Sequence, residues 1–283
     1  MNAIYLDMNG KIFDPQNGTI DLKNCNVKFI GDPQKRIEED YLRIIRFIRF
    51  KIMYDTNVEA TTNKAIRLNL DGIKKISKER VLIELYKILD LKNFFELNKS
   101  TDLKEIFLHI FPEFVNLDRI DRLIKVCQYS QIDRNLILAA LLIDDRNSHE
   151  YFGHKYNISN DTKDTLNLFA KNLTLINENK EFFNKDLEKN VYLFNKKHLI
   201  NLNILNFVVN SNLKFNYFSE NLEKILKSKT HKFSIDGKYL IKNGMRQGSL
   251  LGKVLKEIEE EWIKNNFKIS KDRIKQIILS HSN

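Results

Sequence analysis

The chain of 283 residues carries 47 Lys or Arg against 37 Asp or Glu, a formal charge of +10, and 42% of its residues are hydrophobic. That apolar share is enough to bury a core, so the chain should fold, and the charge favours a polyanionic partner whose phosphates release counterions to Lys and Arg. No apolar run approaches the ~20 residues of a membrane span, the start lacks a signal-peptide pattern, and Cys25 and Cys127 stand in no metal or disulfide spacing. The expectation is a cytoplasmic protein with no membrane partner.

In chain order, Ala3 to Asp7 alternates, Met8-Asn9-Gly10 supplies a tight turn, and Lys11-Ile12-Phe13 follows, which predicts a β-hairpin. A lone hairpin is marginal in water, so an opening hairpin without a third strong strand reads as the edge of something larger. The apolar run Val27 to Ile30 predicts an edge strand. From Pro33 onward apolar residues recur at three and four, predicting helices over Ile37 to Tyr54, Glu59 to Asn69, Lys78 to Leu89 and Leu103 to Ile110. Further helices are expected over Asp118 to Gln128 and Asn135 to Ile143, with several across residues 160 to 228. The fold class is therefore mainly α, with a small N-terminal β-hairpin.

Near the end, Asp236-Gly237, Gly244, Gly248 and Gly252 punctuate the chain before a charged helix from Lys253 to Asn265. Residues 231 to 283 hold eleven Lys or Arg against six acids, about half of the total excess, so phosphate is expected here. Lys238, Lys242, Arg246 and Lys253 would hold RNA phosphates beside glycines that close turns at helix N-termini; plain helix capping explains the same glycines without RNA. The run Gly248 to Lys253 is one residue short of a P-loop and follows no apolar strand. His149 and His154 are five apart and would not share a helical face as metal ligands do, and the pairs Phe94-Phe95 and Phe182-Phe183 read as core.

The informative stretch runs from Gly31-Asp32-Pro33 through Arg36, Glu39-Asp40-Tyr41-Leu42-Arg43, Arg46 and Arg49. On one helix from Ile37, Asp40, Arg43, Arg46 and Arg49 step by three and form a polar ridge, with Tyr41, Ile44, Ile45, Ile48 and Ile52 facing inward. A carboxylate accepts from an exocyclic amine while Arg donates to a ring nitrogen or carbonyl, so such a ridge suits CTP and ATP and opposes the carbonyl oxygens of UTP and GTP. The competing reading is an i,i+3 surface ion pair worth about 0.2–0.5 kcal/mol.

Asn2-Ala3, Tyr5, Asp14-Pro15 with Gly18 and Asp21-Leu22, then Gly31-Asp32-Pro33, Arg36, Glu39-Asp40, Arg43 and Arg46, resemble class II CCA-adding enzymes and bacterial poly(A) polymerases. Ser77-Lys78-Glu79-Arg80 with Glu84 is similar to the motif that buttresses the base-reading helix in that family. The match is specific to about residue 90 and looser beyond it. The resemblance implies a seahorse-shaped protein: residues 1–31 as residual hairpin and hinge of a head, 32–95 as nucleotide-selecting neck, 96–230 as body and 231–283 as basic tail. It implies that Asp40 and Arg43 pair with the incoming base, that Arg46 and Arg49 line the nucleotide pocket, and that Asn2, Arg36, Glu39, Arg80 and Glu84 support them. Its substrates would be CTP and ATP, and its partner a tRNA acceptor arm.

The family's glycine-rich turn, paired metal-binding Asp residues and Arg-Arg-Asp segment precede the place matched by Asn2-Ala3, and this sequence contains none of them. Asp7 is a lone hairpin acid. The expectation is that Mg²⁺ and catalysis come through a head outside this chain, separately encoded or missing. Three readings stay open: part of a CCA tRNA nucleotidyltransferase, part of a poly(A) polymerase accepting ATP alone, or a non-catalytic RNA-binding remnant.

Overall fold

The computed structural model describes residues 4–56 and 58–281; Asn2, expected to support the site, lies outside them. Among the described residues, strands β1 (Tyr5–Leu6) and β2 (Ile12–Phe13) pair antiparallel, Tyr5 opposite Phe13 and Leu6 opposite Ile12. Asp7 spends its carboxylate on the turn, accepting from the amides of Asn9 (2.9 Å) and Lys11 (2.8 Å) while Gly10 takes φ +80. The expected strand at Val27 to Ile30 does not form. There the Val27 amide donates to the Thr56 hydroxyl, and the Phe29 ring stacks on Phe47 at 5.5 Å, so side-chain packing replaces a ladder.

Sixteen helices follow among the described residues: α1 (Gly18–Lys23), α2 (Pro33–Glu39), α3 (Leu42–Tyr54), α4 (Ala60–Asn69), α5 (Lys78–Leu89), α6 (Thr101–Ile110), α7 (Ile120–Val126) and α8 (Arg134–Leu142). Then come α9 (Ser148–Lys155), α10 (Asn160–Glu178), α11 (Leu187–Phe194), α12 (Lys196–Val209), α13 (Phe215–Lys227), α14 (Gly237–Lys242), α15 (Leu250–Lys264) and α16 (Lys271–Ser280). Short 3₁₀ segments at Leu70–Lys75 and Phe94–Lys99 follow α4 and α5. No helix among the described residues is long and apolar enough to cross a membrane.

The starts of these helices follow from local chemistry. Asp32 accepts from the Gln34 amide with Pro33 at the first helical position of α2, Ser77 caps α5, Ser100 caps α6, Asp133 caps α8 and Ser270 caps α16. Each supplies an oxygen to an amide that has no partner inside its own helix.

The chain divides into two compact units, one holding residues up to Thr174 with Ile204–Leu213, the other Leu175–Asn203 with residues from Lys214 onward. In the first, Phe107, Phe114 and Phe152 are fully buried and meet edge to face at 5.5 and 5.7 Å, an arrangement that matches ring edges to ring faces. Helix α8 is buried from Leu136 to Leu142, and Arg119 satisfies its end by donating to the carbonyls of Ala140 and Ile143. In the second unit, Leu240, Met245, Val254, Ile258, Ile274, Ile277 and Ile278 form a core for α14, α15 and α16. Phe94, Phe182 and Phe183 are buried as expected, whereas Phe95 is only half-buried.

One expectation fails in an instructive way. Residues from Ile37 to Tyr54 do not make one helix: α2 stops at Glu39, Asp40 is extended (φ −156, ψ 102), and α3 starts at Leu42. The Asp40 carboxylate accepts from the Leu42 amide at 3.1 Å, and an Asp that bonds its neighbouring backbone in this way competes with helix continuation. The three-residue stepping of Asp40 with Arg43 is therefore lost, while Arg43, Arg46 and Arg49 keep theirs on α3.

Candidate nucleotide-binding site

Helix α3 carries its apolar face inward, with Ile44, Ile45, Ile48 and Ile52 at most 2% exposed, which leaves its guanidinium groups along the other side. Each of those groups is held. Arg43 donates to Glu39 (2.7 Å) and to the Arg36 carbonyl (2.7 Å), and Arg36 donates to the same Glu39 oxygen at 2.5 Å. Hydrogen bonds from Arg43 and Arg36 hold the Glu39 carboxyl below the usual carboxylate range, keeping it charged at neutral pH.

Helix α5 supplies the opposite partners. Its Arg80 donates to the Asp40 carboxylate at 3.0 Å, 40 residues away in sequence. Its Glu84 side chain, 3% exposed, accepts from Arg49 (3.1 Å), Arg46 (3.4 Å) and Lys87 (3.0 Å). Burial alone would push the Glu84 carboxyl up, but Lys87, Arg49 and Arg46 outweigh it and the group sits below its ordinary 4.5. Arg49 also lies over the Phe50 ring at 4.4 Å. An acid buried against three cations fixes the rotation of α3 about its axis, because turning the helix would strand a charge.

Beside this array lies a cleft of ≈ 130 Å³ lined by Arg36, Arg43 and Arg46, by Lys28, and by the rings of Phe29, Phe47 and Phe50. Cations and aromatic faces in one concave site can hold phosphate oxygens and stack a planar ring. Asp40 and Arg49 are not part of its lining and are drawn instead to Arg80 and Glu84. Lys28, Phe29 and Phe50 went unrecognised in the sequence because the short run at 27–30 reads as a strand and Phe50 as one more apolar position. Lys87 was missed too, although its spacing of three from Glu84 is a visible ion-pair signal.

The basic tail residues are a different case. Lys238 and Lys242 lie on α14, Arg246 in the turn after it, and Lys253 in the first turn of α15; all four are exposed. None makes an ion pair among the described residues. Ser249 precedes α15, and Gly252 lies inside it, so only Gly237, Gly244 and Gly248 sit at helix boundaries. No group of three or more His, Cys, Asp or Glu side chains among the described residues could hold a metal ion.

Residues 56–117, from the end of the α3 region through α6, match the family described as the probable RNA- and SrmB-binding site of polymerase A. Over 285 residues the chain is 28% identical to the CCA-adding enzyme of Lactobacillus helveticus, covering 98% of this chain and 69% of that protein. Two solved structures share its fold. The Thermotoga maritima CCA-adding enzyme complexed with tRNA has a TM-score of 0.57 at 21% identity, covering 96% of this chain and 68% of that one. The Bacillus stearothermophilus CCA-adding enzyme in complex with CTP has a TM-score of 0.60 at 18% identity, covering 98% and 70%. The chain spans 63 to 69% of the length of the curated relatives it matches end to end. Motif order, helical fold and relatives agree in likening the chain to class II CCA-adding enzymes and bacterial poly(A) polymerases.

Proposed function

We propose that this chain is the nucleotide-selecting and tRNA-binding portion of a CCA tRNA nucleotidyltransferase, which adds CTP- and ATP-derived nucleotides to RNA 3′ ends. The observation that carries the reading is the paired latch of α3 on α5: Arg80 holds Asp40 while Glu84 holds Arg46 and Arg49, leaving Arg43 at an open, cationic, aromatic-lined cleft. Preorganised groups of this kind discriminate because their orientation is fixed before the ligand arrives.

In this reading triphosphate oxygens meet Arg36, Arg46 and Lys28 in the cleft, and a base edge reaches from Arg43 past the cleft to Asp40, which lies outside its lining. An amino group satisfies the carboxylate, whereas the carbonyl oxygen of UTP or GTP opposes it. Residues 32–95 select the nucleotide, 96–230 form the body, and 231–283 grip acceptor-arm phosphates through Lys238, Lys242, Arg246 and Lys253. The acids described here do not fit a two-metal site, since Asp7 is consumed by its turn and no acidic cluster accompanies it. In this reading, as the family resemblance implies, Mg²⁺ would be held by the carboxylates of a catalytic head.

The test is nucleotide addition to a tRNA lacking its terminal CCA, with a catalytic head supplied as a separate polypeptide and all four triphosphates offered in turn. Incorporation of C and A, and loss of that preference in Asp40→Ala/Arg43→Ala, is the expected result. Unchanged preference in the double variant removes the base-reading role. A second reading, poly(A) polymerase, is favoured by the match of residues 56–117 to a family described from polymerase A. Incorporation of A alone would select it.

A further inference from the structure

We infer that Gly72 and the Tyr41 ring form a spacer that sets the direction of the Asp40 carboxylate, which makes them positioning residues for nucleotide choice. The inference rests on the reading of Asp40 as a base-contacting group.

Gly72 lies in the 3₁₀ segment after α4, and its backbone is outside the left-handed region, so no special φ demands glycine there. Space demands it. A Cβ at position 72 would lie 2.1 Å from both Cδ1 and Cε1 of Tyr41 and 2.6 Å from Cγ, where ordinary contact begins at 3.4 Å. These ring atoms are on a side chain with only two torsions, and they cannot retreat as the tip of a lysine could.

Tyr41 is the residue at which the chain turns from α2 into α3. Its carbonyl accepts from the Ile44 amide at 3.1 Å, the Asp40 carbonyl accepts from the Arg43 amide at 3.0 Å, and these bonds open α3. Displacing the ring therefore drags the first turn that holds Asp40 and Arg43. The surface it rests on is itself fixed: Leu70 and Ile73 are buried, and the Asn69 side-chain amide donates to Gln34 of α2 at 2.9 Å. Lys75 completes the seat, with its ammonium 5.5 Å from the ring centroid. Asp40 is thus held on one side through its own carboxylate, by Arg80, and on the other through its neighbour's ring, by Gly72. The ring contact acts on the backbone at Asp40, alongside the Asp40 amide on the Ile37 carbonyl and the Leu42 amide on the Asp40 carboxylate, both at 3.1 Å.

The experiment is isothermal titration of the full chain with CTP and with UTP, reading the ratio of the two affinities. Gly72→Ala should lower that ratio roughly tenfold, the scale of one misplaced base contact. Tyr41→Ala should lower it as well, Tyr41→Phe should keep it, and Gly72→Ala added to Tyr41→Ala should cost nothing more, because the clash has lost its ring. A merely structural role would weaken CTP and UTP alike and leave the ratio in place, which overturns the inference. So would loss in Tyr41→Phe, or additive effects in the double variant. If Gly72→Ala does not fold, the Tyr41→Ala and Tyr41→Phe pair still decides, since equal ratios in the two sink the proposal. Asp40→Ala separates the levels: an unchanged ratio there defeats the base-reading role itself, while a lost ratio there with an intact one in Gly72→Ala defeats the spacer alone.

Discussion

The segment from α2 to α5 and the segment from α14 to α16 are both rich in cations, and the cations assigned to ligands in each are used in opposite ways. From α2 to α5, Arg36, Arg43, Arg46 and Arg49 are each bound to a carboxylate on the same or a neighbouring helix, and Arg80 to Asp40 in the break between α2 and α3. In the tail, Lys238, Lys242, Arg246 and Lys253 are exposed and make no ion pair among the described residues, whereas Arg273 and Lys256 of the same segment pair with Glu261 and Glu260. Fixed charges have direction and suit recognition of one base over another. Free charges are adaptable and suit a backbone whose phosphates repeat without regard to sequence.

The largest effect is expected at Glu84. Glu84→Ala should cost about 2–3 kcal/mol in urea unfolding at pH 7, below the full cost of breaking a buried pair because Arg46 and Lys87 are partly wet. The pH dependence gives the sign. A carboxyl held below 4.5 in the folded chain contributes stability that is complete above 4.5 and is lost as pH falls through the depressed value. The difference between wild type and Glu84→Gln should therefore shrink on acidification below 4.5; a difference that grows there would contradict the latch.

A smaller effect is expected at the tail. Neutralising Lys238, Lys242 and Arg246 together should reduce the salt slope of tRNA binding by roughly 0.9 for each phosphate that no longer meets a cation, with CTP binding unaltered. An unaltered slope would place the RNA elsewhere. Smallest is Glu39→Gln: its carboxylate is exposed, so the melting temperature should hold while Arg36 and Arg43 loosen and nucleotide affinity falls a few-fold, read by titration. A change in melting temperature without one in affinity would show Glu39 to be structural.

Much of this was legible in the sequence, and the limits have physical causes. Lys78 to Leu89 is read to the residue because Ser77 caps one end and apolar periodicity carries the rest. The Arg43, Arg46 and Arg49 face is likewise set by the three-residue step along α3. The break at Asp40 was not legible, because it depends on a side-chain bond to the Leu42 amide and on partners 31 to 40 residues away. The Phe29 wall of the cleft was hidden for a similar reason: an apolar run of four looks like a strand until something nonlocal gives its rings a surface to stack on. Helices α9, α14 and α16 were too short or too polar to stand out, although Asp236 and Ser270 mark two of their starts.

In the proposed function, a carboxylate and a guanidinium at the start of α3 distinguish amino-bearing from carbonyl-bearing bases. Titrating the wild-type chain with CTP and UTP under one buffer tests it without any catalytic partner. Tighter binding of CTP, with the gap closing in Asp40→Ala, is the predicted outcome. Equal affinities in the wild type, or a gap that survives the substitution, would contradict it.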